Sequence, residues 1–566
     1  MHIANKLLKF CIWKEIKMKN SILGFPRIGK KRELKFAVEK FWKGAISEDE
    51  LGDIAISIRK DNLKYLKNSG MDFIPCNDFS YYDRMLDMCI VLGLIPERFE
   101  ELESKVSPLE LYFAMARGIS FEGKNYPAME MTKWFNTNYH YIVPELEAYS
   151  EFTPNPKMLI KYVTEAEEQG IDSVPTLIGP LTFVMLAKKP EDFDFSGELE
   201  RFAEEYVKLI KVLEVAGVEK VNLEEPVLVM DESVCHQQIL RTVYGKITAE
   251  TTADIFVQTY FDTVGDNYKV LAELPVKGIG LDFVHGAKNL DLIAEYGFPE
   301  DKLLFAGVID GRNIWAADPE KINSTIEAIS RKVDSGKIVL SPSCSLLHCP
   351  VSLENESKLD PKVKQYMAFA REKVNELNIL KACFEADDQA GTEVLKKLRN
   401  AFVNDPARRN PRIQDAVGRI GELKVQRATV FPDRIKLQNE RLNLPGLPTT
   451  TIGSFPQTSE IRSLRRCFKK GDISSDEYRN TIDEKIAEVI HLQEAIGLDV
   501  LVHGEFERND MVEFFGEKLN GVVFTEFGWV QSYGSRCVKP PVIYGDIERP
   551  EAMTVRDIVY AQSLTN

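Results

Sequence analysis

The chain lacks any stretch approaching twenty uncharged apolar residues, so no membrane-spanning helix and no membrane partner are expected. Positive charge is in short supply: 72 Lys and Arg stand against 87 Asp and Glu, for a net charge of −15. Nucleic-acid binding rests on basic surface, so no nucleic-acid partner is expected. The nine cysteines are odd in number and have no tight spacing. That fits a reducing cytoplasm rather than a disulfide framework. No G-x-G-x-x-G follows the first apolar run, which argues against a dinucleotide-binding sheet.

What is present is length, apolar content and repetition. With 566 residues, 44% of them hydrophobic, the chain can fill two or more domains. G-F-P-R-I-G (Gly24 to Gly29), a basic amphipathic run and K-G-A-I-S-E-D-E (Lys43 to Glu50) open the sequence. Far downstream come G-S-F-P-Q-T (Gly453 to Thr458), another basic amphipathic run and K-G-D-I-S-S-D-E (Lys470 to Glu477). One constant spacing then separates Gly44 from Gly471, Asp72 from Asp499, Asp78 from Glu505 and Asp83 from Asp510. Chance does not hold one offset across four landmarks, so the pattern predicts a duplicated domain.

In the first copy, eight β-rich runs alternate with helical segments: Ser21–Gly24, Met71–Ile74, Ser173–Ile178, Val218–Leu223, Ile255–Tyr260, Gly278–Phe283, Leu303–Val308 and Ile338–Pro342. Leu34, Val38, Phe41 and Trp42 share one helix face. Ser47 with Glu50, and Ser474 with Glu477, have the spacing of capping boxes. Strands alternating with helices imply a parallel sheet, because parallel strands need crossover connections. Eight such units suggest a closed (β/α)8 barrel, with an open doubly wound sheet as the structural alternative. The expected fold class is therefore α/β, with duplicated (β/α)8 TIM barrels, the first complete and the second truncated after about two strands. The expected domains are an extension over 1–17, an N-terminal barrel over 18–380, a helical connector over 381–448 broken at Pro406, Pro411 and Pro432, and a partial second barrel over 449–566. Residues 85–150 and 515–550 are too long for plain crossovers and are expected to cover the barrel mouth.

In parallel barrels, function gathers at the C-terminal ends of the strands. Ile452, Gly453 and Ser454 follow the first strand of the second copy, and His503, Glu505, Glu507 and Asp510 follow its second. Glu505 is suited to a substrate ammonium group, while His503 and Glu505 alone are too few ligands for zinc. Arg27, Lys30, Lys31, Arg32 and Lys35 open a helix, and Arg536 and Lys539 flank Cys537. Such clusters in an acidic chain suit a small polyanion or form a solvated face. Met131 to Tyr141 packs aromatic rings with Lys133, either a stacking surface or ordinary packing under a loop. Cys344, His348 and Cys349 are weakly metal-like and read as structural. Glu224 and Glu225 end the fourth strand as a former catalytic position or a rim network.

G-F-P-R-I-G-x-x-R-E-L-K, M-T-K-W-F-N-T-N-Y-H-Y, T-T-T-I-G-S-F-P-Q-T, H-G-E-x-E-R-N-D-M-V and G-W-V-Q-S-Y-G-S-R-C-V-K-P-P together resemble cobalamin-independent methionine synthases, from about Met18 to Asn566. The resemblance implies two (β/α)8 barrels and methyl transfer from 5-methyltetrahydropteroyltriglutamate to L-homocysteine, giving L-methionine in the cytoplasm by a monomer. It implies that Arg32, Glu33, Leu34, Lys35, Lys133, Arg536 and Cys537 bind the methyl-folate triglutamate. It implies that Ile452, Gly453, Ser454 and Glu505 hold homocysteine. The family's cofactor is zinc, bound by His, Cys, Glu and Cys beyond the position of residue 566, where the general-acid histidine lies too. On that reading no catalytic or metal-ligating residue is expected within this chain, which should be inactive. Gln258 to Phe261 offers no substitute ligands in the first copy. A non-catalytic folate-binding fragment is the alternative, and a barrel glycosidase using Glu224 or Glu225 is a third reading.

Overall fold

Eight short parallel strands form the central sheet. They are β1 (Lys19–Asn20), β2 (Ile74–Cys76), β3 (Ser173–Ile178), β4 (Lys220–Glu224), β5 (Asp254–Gln258), β6 (Gly278–Asp282), β7 (Leu303–Ile309) and β8 (Ile338–Pro342). The computed structural model describes residues 18–386 and 389–565, so the expected extension over 1–17 lies outside the described residues. The strands hydrogen-bond in the order β1-β8-β7-β6-β5-β4-β3-β2. A parallel bridge between Ser21 and Phe73 links the two ends of this row. The Phe73 N–H donates to Asn20 O at 3.1 Å alongside it.

Every residue of β2, β3, β6 and β8 is buried, because helices cover one face and side chains fill the other. On the inner face, Phe73, Val174, Phe256, Phe305 and Val339 form an apolar cluster. Its rings meet at centroid distances of 5.9 Å (Phe73–Phe256), 5.6 Å (Phe73–Phe305) and 5.0 Å (Phe256–Phe305), within the range of favourable aromatic contact. β6 accommodates them with glycine. A Cβ on Gly278 would stand 2.8 Å from both Phe256 and Phe305, and one on Gly280 would meet the Gln258 amide at 1.9 Å. Nearby, Gln258 donates to Asn222 at 2.9 Å and Asn222 donates to Thr176 at 3.3 Å, so the buried amides are satisfied.

The chain divides into two compact units, one of residues 1–403 with 526–539, the other of 404–525 with 540–566. Segment 526–539 is thus flanked by second-unit sequence yet belongs to the first unit. In the first unit, Glu33–Trp42 and Glu48–Asn68 are helices, and Ser47 with Glu50 makes a complete capping box. In the second, Ser459–Lys470 and Ser475–Ile496 are helices; Ser474 accepts from the Glu477 N–H, without the reciprocal bond.

The two units share local devices. In the first, Asn20 N–H donates to the Asp72 carboxylate and Asp72 N–H to the Asn20 amide, both at 2.8 Å. In the second, Thr449 N–H donates to Asp499 at 2.8 Å and Asp499 N–H to the Thr449 hydroxyl at 3.2 Å. Asp83 caps the helix Arg84–Leu92, and Asp510 caps Met511–Gly516. The two strands expected in the second copy reduce to a single parallel bridge between Ser454 and Gly504. Side chains take the place of ladder partners there. Gln493 donates to Val502 O at 2.7 Å and accepts from Val502 N–H at 2.9 Å. Ile461, Ile482, Ile486, Val489, Ile490, Phe506 and Ala561 form this unit's apolar core. In the expected connector, Pro406, Pro411 and Pro432 begin helical segments rather than merely ending them, since proline suits the first helical turn.

Candidate functional site

In the first unit, a cationic cluster forms where the start of helix Glu33–Trp42 meets the hairpin of Val530–Tyr533 and Arg536–Val538. Arg32 precedes the helix in the left-handed region, at φ 65°. Its guanidinium carbon lies 3.8 Å from the Trp529 ring centre, and Lys539 Nζ lies 5.3 Å from the same ring. Lys35 is ion-paired with Glu39, one helical turn along. Glu39 also accepts from the Ser535 hydroxyl of the hairpin at 3.1 Å. Burial pushes Glu39 up, but the Lys35 bond and charge outweigh it and leave the carboxyl below its ordinary range.

Cys537 is half-buried in this cluster. Burial pushes its thiol up to about 11, against the pull of Lys35 and Arg32. It is therefore protonated near neutral pH and is no ready nucleophile. Arg536 is exposed, with its guanidinium 5.6 Å from the Tyr533 ring. Tyr533 in turn lies edge-on to His140 at 5.6 Å, and His140 pairs across a second hairpin with Lys133, which is exposed. Glu33 accepts from the Lys31 N–H at 2.9 Å. Leu34 is buried and its N–H donates to Ile28 O, so its side chain belongs to the core.

Two parts of the basic run are not where a solvated face would put them. Arg27 is fully buried and hydrogen-bonded to Tyr139 and Gln531. Lys30 is paired with Glu354 at 3.4 Å. In the aromatic run, Trp134, Tyr139 and Tyr141 are all buried, so those rings pack under the loop and only Lys133 and its neighbours face out.

In the second unit, Ile452, Gly453, Ser454 and Glu505 come together. Gly453 has φ 113° and Glu505 has φ 58°. A Cβ on Gly453 would stand 3.1 Å from Glu505 Oε1, so the carboxylate closes directly over this turn. Ile452 is 95% exposed. Arg508 holds Glu505 at 2.9 Å, leaving the rest of the half-buried carboxylate available. His503 does not join Glu505 as a ligand pair. Its Nε2 lies 3.2 Å from Glu507, which Arg508 also contacts at 2.9 Å. Burial raises Glu507, and the His503 and Arg508 contacts bring it below the ordinary range. Asp510 accepts from Val512 and Glu513 N–H groups as a helix cap.

Residues 19–334 match the family model described as "Cobalamin-independent synthase, N-terminal domain", and 447–566 match "Cobalamin-independent synthase, Catalytic domain". The 5-methyltetrahydropteroyltriglutamate–homocysteine methyltransferase of Lactococcus lactis subsp. lactis is 44% identical over 550 residues, which is 97% of this chain and 71% of that protein. The chain belongs to the cobalamin-independent methionine synthase family.

The same enzyme of Halalkalibacterium halodurans is 46% identical, covering 97% of this chain and 72% of its own length. A chloroplastic form from Arabidopsis thaliana is 45% identical, covering 97% and 68%. A solved B12-independent methionine synthase from Shewanella sp. W3-18-1 aligns at TM-score 0.41 and 14% identity over 69% of this chain and 99% of that one, too distant to bear on the fold.

Within this family member the remaining polar clusters are structural. Glu224 sits 2.5 Å from Arg84, while Glu225 accepts from Thr182, Leu181 and Tyr244. The two carboxylates serve different partners and form no acid–base pair. The cavity at the strand ends, lined by Asp78, Arg84, Glu224, Tyr260 and His348 among others, measures about 30 Å³, room for a water and not a substrate. Cys349 is pushed up to about 12 by burial, and burial pushes Cys344 well above its ordinary value. Burial lowers His348 to about 3. Trp529, Glu39 and Ser535 complete the first-unit cluster without standing out in sequence. The G-W-V-Q-S-Y-G-S-R-C motif was the one signal that contained two of them.

Proposed function

We propose that this chain serves methyl transfer from 5-methyltetrahydropteroyltriglutamate to homocysteine, the reaction for which its relatives are named. The observation that carries the donor half is the gathering of Arg32 and Lys35 beside Cys537 and Trp529. A triglutamate tail is a small polyanion, and Arg32, Lys35, Lys133 and Arg536 supply the cations for it. In the second unit, the turn Ile452 to Ser454 and the Glu505 carboxylate suit an amino acid: backbone amides for its carboxylate and Glu505 for its ammonium group.

The chemistry asks for a thiolate nucleophile and a protonated amine as leaving group. Zinc, the metal the family resemblance implies, would supply the thiolate by lowering the pKa of a bound sulfur. Among the described residues no group of three or more His, Cys, Asp or Glu comes together that could hold a metal, so these residues do not fit that ion. The role left to them is binding and orientation.

The first unit reads as a (β/α)8 barrel over 18–380, supported by the Ser21–Phe73 bridge across the ends of the strand row. Residues 381–448 read as connector, and 449–566 as a duplicate of the barrel's opening elements, supported by the paired Asp72–Asn20 and Asp499–Thr449 devices. Among the described residues no helix is long and apolar enough to cross a membrane, and eight cysteines are free, which suits work in the cytoplasm.

Titration calorimetry with methyltetrahydrofolate bearing one or three glutamates tests the donor site. The triglutamate should bind about tenfold tighter or more, and Lys35→Ala should narrow the gap. Equal affinity for both would overturn the reading.

A further inference from the structure

The hairpin that carries Arg536 and Cys537 is clamped to the rest of the first unit at its base and at its centre. At its base, the buried Glu356 carboxylate accepts the N–H groups of Glu526 at 2.7 Å and Phe527 at 2.6 Å. At its centre, Arg27 donates Nε–H to the Gln531 amide oxygen at 2.7 Å. Arg27 also donates to the Tyr139 hydroxyl at 2.6 Å and to Tyr82 O at 3.3 Å. Tyr139 donates onward to Asp83 at 3.0 Å, and Asp83 accepts from Leu86 and Ile142 N–H groups. A buried cation is tolerated only when it is well paired, so the Gln531 acceptor is not replaceable by solvent.

Gln531 does a second job. Its Nε2 donates to Gly534 O at 2.7 Å, fixing the turn, and it stands directly across the hairpin from Cys537. Gly534 has φ 47°, and a Cβ there would meet the Tyr82 ring at 2.4 Å, so the turn lies flat on that ring. Ser532 donates to Asn138 O at 3.1 Å, tying the hairpin to the segment between Lys133 and His140.

We propose that Arg27, Gln531 and Glu356 are positioning residues that hold this hairpin so that Arg536 and Cys537 keep their place beside Arg32 and Lys35. None of the three is itself a contact of the donor. The proposal rests on the reading of that cluster as the donor site. It assigns a role to a buried arginine that would otherwise be core structure.

The test combines two measurements on the full chain: calorimetric titration with methyltetrahydropteroyltriglutamate, and the rate of Cys537 alkylation by iodoacetamide, resolved by peptide mass spectrometry. Gln531→Leu should weaken binding about tenfold and speed Cys537 alkylation about tenfold. Gln531→Glu keeps the acceptor for Arg27, though not the donor to Gly534 O, and should return both to within about threefold of the native values. Gly534→Ala, which removes neither the Arg27 nor the Glu356 bonding groups but lifts the turn off Tyr82, should act like Gln531→Leu and covers the case in which the leucine variant does not fold.

Arg32→Ala separates the two readings. If it weakens binding while Gln531→Leu and Gly534→Ala leave binding and alkylation native, the clamp is overturned and the donor site stands. If Arg32→Ala binds as the native chain does, the donor reading fails, and the alkylation rate alone decides the clamp. An unchanged rate in both hairpin variants overturns it, and an accelerated rate that Gln531→Glu reverses supports it.

Discussion

The Arg32 guanidinium stacks on the indole of Trp529, 3.8 Å from its centre, with Lys539 on the same ring at 5.3 Å. The ring holds two cations that would otherwise repel or wander, and it keeps the planar fork of Arg32 oriented for a carboxylate. Trp529→Leu should therefore weaken triglutamate binding by about threefold to thirtyfold, read by calorimetry, while the thermal midpoint moves little. Native affinity in the variant would show that the stack does not orient the cluster.

Glu505 closes over Gly453 and is held on one side by Arg508. Glu505→Gln keeps the shape but removes the charge that suits an ammonium group. Homocysteine affinity should fall about tenfold to a hundredfold, the scale of a charge-assisted hydrogen bond. Butanethiol, which has no ammonium group, should be indifferent to the change.

Phe305 packs against Phe73 and Phe256 inside the sheet, opposite the space that Gly278 leaves. Phe305→Ala should cost about 3–5 kcal/mol in urea unfolding, because the rigid surrounding strands cannot collapse into the void. Phe305→Leu should recover more than half of that loss.

Glu225 is fully buried, and desolvation raises its carboxyl to about 7 despite four donated hydrogen bonds. A carboxyl raised above its unfolded value, near 4.5, stays protonated in the native state while the unfolded chain has already lost the proton. Its contribution is complete below that unfolded value and is lost as pH climbs through about 7. Glu225→Gln does not titrate. Relative to the native chain, this variant should gain about 1–3 kcal/mol between pH 5 and pH 8 in denaturant midpoints. A constant difference would mean that the bonds from Thr182 and Tyr244 keep the carboxylate ionised.

The sheet was legible because buried parallel strands announce themselves as apolar runs between helical periods. Ser173–Ile178 and Ile338–Pro342 match residue for residue. Apolar patterning places the first strand at Ser21–Gly24, but the strand ends at Asn20, with only a bridge at Ser21. Beyond it the backbone turns to the Asp78 carboxylate, which accepts the Phe25 N–H at 2.8 Å, a side-chain partner that apolar patterning cannot reveal. Arg27 was hidden for a similar reason. Five cations in one run look like a solvated face, and the residue that buries this one, Gln531, lies 504 positions away. The turn around Glu505 was readable because a dense polar stretch follows an apolar one. That His503 would turn to Glu507 instead was not, since both carboxylates lie within reach in sequence.

Segment 526–539, lodged among first-unit residues while its flanks belong elsewhere, makes the chain behave like a stitched seam. A single protease nick near Arg427 would leave the downstream piece held to the upstream one by that loop of thread and by the bonds of Arg408 and Asn410 to Tyr544, Asp546 and Glu548. The two pieces should travel together on a sizing column in native buffer and part only when denaturant both draws the hairpin out and breaks those bonds.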